Sequence, residues 1–112
     1  MAPIKVLVLD GQALLREGLS ALLAEQSDFV AVGDAGDVAA GAHLAATRAP
    51  DVVVTDLSLP DVCGAEVVTR ILAAQATTRV IAFTALDDAE TATAAVAAGA
   101  QGYVLKRRPS AD

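Results

Sequence analysis

Asp51-Val52-Val53-Val54-Thr55-Asp56 is the stretch on which the fold turns. Its valines follow one another without the polar-apolar alternation that marks a half-wet strand. A strand apolar at every position is buried on both faces, as in a parallel sheet covered above and below. Outward from it, Ile4-Lys5-Val6-Leu7-Val8-Leu9 reads the same way, and Phe29-Val30-Ala31-Val32 is a weaker strand. Arg79-Val80-Ile81-Ala82-Phe83 and Gly102-Tyr103-Val104-Leu105 complete a set of five.

Helical patterns fill the gaps. Leu15, Leu19, Leu22 and Leu23 share one helical face. Val38 to Arg48 has helical composition and stops before Pro50. Pro60 and Gly64 bracket a loop, after which Val68, Ile71 and Leu72 mark a third helix. Asp87 and Asp88 stand where a fourth helix N-terminus favours negative charge, and that helix runs through Val96 to a stop at Gly99. The order β-α-β-α-β-α-β-α-β, with right-handed crossovers, predicts an α/β doubly wound sandwich.

A length of 112 residues allows one domain. With 54% hydrophobic residues the chain is too apolar for disorder. A net charge of −6 argues against gripping phosphate backbones directly. Mean hydropathy is +0.52, inflated by alanine. The longest uncharged run, Thr91 to Leu105, has 15 residues and contains Gly99 and Gly102, too short and too broken to span a bilayer. The N-terminus does not read as a secretory signal, and Cys63 is the single cysteine, so no intrachain disulfide forms. A cytoplasmic domain is the expectation by elimination, with no membrane partner.

In an open parallel sheet the chemistry collects at the carboxyl ends of the strands. There the sequence places Asp10, Asp56, Thr84 and Lys106. Singly, each is an ordinary turn, capping or solvated residue. Together they suit phosphoryl transfer: a carboxylate as nucleophile, Mg²⁺ held by carboxylates and a carbonyl, a lysine as point charge and a hydroxyl for the transferred oxygens. No Gly-rich phosphate loop follows the first strand, which argues against a flavodoxin-like cofactor enzyme. Cys63 reads as a structural thiol, His43 as solvated, and Lys106-Arg107-Arg108 as a solvated terminus with Lys106 turned inward.

The chain resembles the receiver domain of bacterial two-component response regulators, most of all the NarL/FixJ subfamily. The residues that carry the resemblance are Leu9-Asp10, Leu15-Arg16-Glu17-Gly18-Leu19, Pro50 to Pro60, Phe83-Thr84-Ala85 and Ala98 to Lys106. It implies a flavodoxin-like (CheY-like) sheet with strand order 2-1-3-4-5. It also implies that Asp56 is the phosphoacceptor and that Ser58 lends a backbone carbonyl to Mg²⁺ beside Asp10 and Asp56. Thr84 then follows the phosphoryl group with small Ala85 beside it, Lys106 pairs with the phosphoryl oxygens, and Tyr103 swings inward when Thr84 moves. A histidine kinase is the implied partner. DNA binding is implied only through a downstream helix-turn-helix domain for which this chain has no room.

One position departs from the pattern. Gly11 stands where the family has a second acid, and Gln12-Ala13 also deviates. A tight turn needing positive φ would explain a glycine. We expect instead a degenerate site that binds Mg²⁺ weakly, because glycine offers no side-chain ligand. Two functions therefore stand open: a phosphorylation switch on Asp56, and a pseudo-receiver acting as a dimerisation or ligand-sensing module. The fourth helix, rich in Ala and Thr with Val96 its only large apolar residue, suits a segment that moves easily.

The seven residues from Lys106 to Asp112 are too few for a last covering helix, although Ser110 would suit an N-cap. The expectation is a C-terminally truncated receiver, residues 1–112, with an exposed apolar sheet face beside the first helix and self-association, as a homodimer, through it.

Overall fold

All five apolar runs form strands of one parallel sheet in the computed structural model, which describes residues 2–60, 62–85 and 89–106. The elements are β1 (Ile4–Leu9), α1 (Ala13–Ala24), β2 (Phe29–Ala35), α2 (Val38–Arg48), β3 (Val52–Thr55), α3 (Gly64–Ala74), β4 (Arg79–Thr84), α4 (Ala89–Ala98) and β5 (Gly102–Leu105). The strand order is β2-β1-β3-β4-β5, the doubly wound CheY-like topology. Val53 pairs with Leu7 on one side and Val80 on the other, and all three are fully buried. The switch point lies between β1 and β3, where the chain turns from building leftward to building rightward.

The two faces of the sheet differ. Leu7, Leu9, Val53, Thr55, Val80, Ala82 and Thr84 point into the core beneath α2, α3 and α4, with Leu57, Val67, Val68 and Ile71 packed against them. On the opposite face α1 lies over β1 and β2 and buries Val6 and Val8. Beyond it, Val52, Val54, Ile81 and Phe83 are half-buried and Val104 is 50% exposed. No second helix covers that strip among the described residues. Ser110, Arg107 and Arg108 lie outside them, as do Asp87 and Asp88 ahead of α4.

Several boundaries differ from expectation for physical reasons. β2 continues past Val32 to Ala35, because pairing with β1 needs backbone groups, not apolar side chains, at a sheet edge. Its register shifts opposite Val6 and Leu7. β3 begins at Val52, since the Asp51 carboxylate accepts the Lys5 N–H at 2.8 Å instead of pointing from a strand. The leucine face of α1 is only partly buried. Leu15, Leu19 and Leu23 are half-buried, but Leu22 is 61% exposed. Arg16 is also half-buried, whereas Leu14 is 83% exposed.

The helix ends follow local chemistry. Asp37 caps α2 by accepting the Ala40 N–H at 2.8 Å, and Ala49 ends it with φ 46° just before Pro50. Gly99 ends α4 at φ 121°, and the Ala100 N–H then returns to the Ala95 carbonyl at 3.0 Å. His43 and Cys63 are exposed, as anticipated. No helix among the described residues is long and apolar enough to cross a membrane.

Two glycine substitutions should move stability in opposite directions. A Cβ at Gly99 would adopt a conformation closed to L-residues and meet Leu72 Cδ1 at 2.5 Å. Gly99→Ala is therefore expected to cost about 1–3 kcal/mol. Gly18 lies within α1 with open space around it, so Gly18→Ala should gain up to about 1 kcal/mol. Urea unfolding of both variants against the parent checks the signs.

Candidate functional site

The two strands at the switch point, β1 and β3, and the edge strand β5 deliver the polar residues that follow them to one place. Asp10 follows β1, Asp56 follows β3 and Lys106 follows β5. The Lys106 ammonium donates to Asp10 Oδ2 in a short ion pair and to Asp56 Oδ2 at 3.2 Å. Asp10 and Asp56 are both buried, and the lysine side chain is largely covered. Each carboxylate also has its other oxygen engaged. Asp10 Oδ1 accepts the Gln12 N–H at 2.8 Å, and Asp56 Oδ1 accepts the Ser58 N–H at 3.0 Å. These are local Asx-type bonds from the loop that follows each strand.

The backbone holds these residues in register. The Asp10 N–H donates to the Ala35 carbonyl at 3.0 Å, and the Asp56 N–H to the Leu9 carbonyl at 2.8 Å. The Lys106 N–H donates to the Thr84 carbonyl at 2.9 Å, which sets Lys106 beside the end of β4. Thr84 is fully buried there. Tyr103 sits in β5 opposite Ala82, half-buried and packed against the core cluster. The expected site residues Asp10, Asp56, Lys106 and Ser58 thus meet directly, while Thr84 joins them through backbone contact and Tyr103 belongs to the adjoining core.

The electrostatics follow from this geometry. Burial alone would lower the Lys106 pKa, but hydrogen bonds and charge from Asp10 and Asp56 outweigh it and raise the group above its ordinary 10.5. The Lys106 ammonium also lies 5.9 Å from the centre of the Phe83 ring. Two carboxylates against one ammonium leave the cluster one negative charge.

Gly11 is next to this pocket, and nothing in the backbone demands it. Its φ is not positive, unlike that of Gly99, and a Cβ there would meet nothing within 4 Å. A tight turn does not account for the glycine. For a hard cation the oxygen donors at hand are Asp10, Asp56 and the Ser58 backbone. No group of three or more acidic, His or Cys side chains that could hold a metal gathers among the described residues. All four carboxylate oxygens already hold a hydrogen-bond donor. As arranged, this donor set is a weak one for Mg²⁺, which favours near-octahedral oxygen coordination.

One participant was missed in the sequence. Arg16 reaches from α1 to the Asp10 carbonyl, its Nη1 donating at 2.7 Å. In the sequence it is one residue of the Leu15-Arg16-Glu17-Gly18-Leu19 stretch, with nothing to mark this contact.

Comparison with known proteins places this geometry among relatives. The family model of the response regulator receiver domain matches residues 6–112. The chain is 38% identical over 104 residues to the DNA-binding transcriptional activator DevR/DosR of Mycobacterium tuberculosis, covering 92% of this chain and 48% of that protein. It is 30% identical over 104 residues to the nitrate/nitrite response regulator protein NarL of Escherichia coli K12, covering 93% and 48%. Among solved structures, the signal receiver domain of the putative response regulator NarL from Mycobacterium tuberculosis superposes with a TM-score of 0.88 at 31% identity, covering 97% of this chain and 88% of that one. The chain spans about half the length of the curated relatives it matches.

Removing the ammonium should expose how much the cluster depends on it. Lys106→Met leaves two buried carboxylates facing each other and is expected to destabilise the fold by about 3 kcal/mol near neutral pH. Because the folded-state pKa lies above 10.5, the stabilisation is fully present below the unfolded value and lost as pH rises through the folded one. The parent-minus-variant difference in urea unfolding should stay flat up to roughly pH 10 and shrink above it.

Proposed function

The chain belongs to the response regulator receiver domain family, and from that premise we propose that it is the receiver domain of a transcriptional regulator whose Asp56 accepts a phosphoryl group. The observation that carries this reading is the Lys106 ammonium held against the Asp56 carboxylate. In the proposed step an Asp56 carboxylate oxygen attacks the phosphorus of a phosphohistidine on a partner kinase. The P–N bond breaks, its electron pair stays on the imidazole, and an acyl phosphate forms. Lys106 turns from the carboxylates to the new phosphoryl oxygens as a point charge, and the Thr84 hydroxyl follows them.

The output would be a change in packing around β4, β5 and α4. Thr84 and Tyr103 are the switch residues of this proposal. α4 suits it because Ala95 is its one fully buried residue and Val96 is 56% exposed, so little apolar area holds the helix down. We place this chemistry in the cytoplasm. Residues 1–112 form the receiver unit of a longer regulator, and DNA is contacted by a further domain. The half-exposed strip of β3, β4 and β5 supports self-association as a homodimer.

A second reading, a pseudo-receiver that works as a phosphorylation-independent dimerisation or ligand-sensing module, is favoured by Gly11. The pocket lacks the second acid, Mg²⁺ would be held weakly through Asp10, Asp56 and Ser58, and Lys106 already neutralises part of the acidic charge.

Incubation with acetyl phosphate and Mg²⁺, read by intact mass, separates the two. The switch reading expects a phosphoryl adduct on the parent chain that is absent from Asp56→Asn. An adduct on Gly11→Asp but not on the parent would overturn it in favour of the pseudo-receiver. Light scattering should show average mass rising with concentration, less so in Val104→Asp. A monomer across a wide concentration range would reject self-association.

A further inference from the structure

We propose that Arg16 is a positioning residue for the acidic pocket: its guanidinium ties the Asp10 backbone carbonyl to the Asp34 carboxylate and so holds the 10–12 turn against the end of β2. Arg16 Nη1 donates to the Asp10 carbonyl at 2.7 Å while its Nε donates to Asp34 Oδ1 at 2.8 Å. The side chain is 20% exposed, so these bonds are made in a partly dry cleft. The planar fork of a guanidinium spans two acceptors at once, which an ammonium cannot do with the same geometry.

Three features converge on the role. First, α1 has little else to fix its first turn: Gln12 makes no side-chain cap bond and the helix contains no fully buried residue. Second, room is left for the guanidinium by Gly36, where a Cβ would stand 3.0 Å from Nη1. Third, the turn it braces carries Gly11, which adds backbone freedom next to the residue whose placement matters. Arg16 touches neither reacting oxygen. It acts through Asp10, whose carbonyl it holds and whose carboxylate receives the Lys106 ammonium and the Gln12 N–H. A shift of the Asp10 backbone would move both contacts together.

The role is tied to the pocket and to the proposed function, yet its test needs no phosphorylation. Residue-resolved amide hydrogen exchange on the whole chain reads the Gln12 N–H, bonded to the Asp10 carboxylate, and the Asp10 N–H, bonded to Ala35. Arg16→Met keeps the aliphatic stem and removes every donor, and is expected to speed exchange at both amides by about tenfold or more. Asp34→Ala should act in the same direction, and Asp34→Asn, which keeps an oxygen to accept from Nε, should restore parent-like exchange. Val53 and Val80, deep in the sheet, should keep their parent rates in all three. Unchanged exchange at Gln12 and Asp10 in Arg16→Met and Asp34→Ala overturns the proposal. So does equal acceleration at Val53 and Val80, the signature of a general loss of stability. Failure of the phosphoacceptor reading would appear separately, as a parent chain without a mass adduct.

Discussion

The ammonium of Lys106 between the carboxylates of Asp10 and Asp56 is the contact around which the functional end of the molecule is organised. Two buried acids at the ends of adjacent strands repel each other, and a low-dielectric setting magnifies that repulsion. A cation placed between them offsets that repulsion. Lys106 reaches that place because β5 pairs with β4 and its backbone N–H returns to the Thr84 carbonyl. The interaction therefore depends on the sheet closing in the right order, and it draws the ends of β1, β3 and β5 into one site.

Gly11 stands beside this cluster with no structural demand for a glycine. With an open volume around it and an ordinary φ, the position tolerates a side chain. The turn does not require a glycine there. Two carboxylates and one ammonium give the cluster a formal charge of minus one. The same missing side chain makes the turn more dependent on neighbours, and Arg16 from α1 is the neighbour that grips it.

The layers are unequal. α2, α3 and α4 seal one sheet face, and Leu7, Val53 and Val80 vanish beneath them. Among the described residues α1 alone lies on the other, tied to Asp34 of β2 and to the Asp10 carbonyl by Arg16. Leu22 faces outward, and β3, β4 and β5 stay partly open because no second helix covers them among the described residues. The helical period of the leucines was legible in the sequence, but the side of the helix tied to the sheet was not. It comes from a polar contact with a strand 18 positions away, and an apolar pattern carries no record of that.

Short-range physics accounts for what the sequence determined by itself. Consecutive valines at 52–54 select a strand buried on both faces, Pro50 and Gly99 mark helix ends, and Asp10, Asp56, Thr84 and Lys106 stand at strand ends because the apolar runs stop there. Each of these readings needs only neighbours along the chain. What the tertiary structure alone decided is who meets whom. Lys106 finds Asp10 across 96 positions and Asp56 across 50. Arg16 becomes a brace instead of one more helix residue, and Gly11 proves free of any backbone demand. Those outcomes depend on the strand order and on side chains reaching between elements, and both are set only when the sheet has assembled.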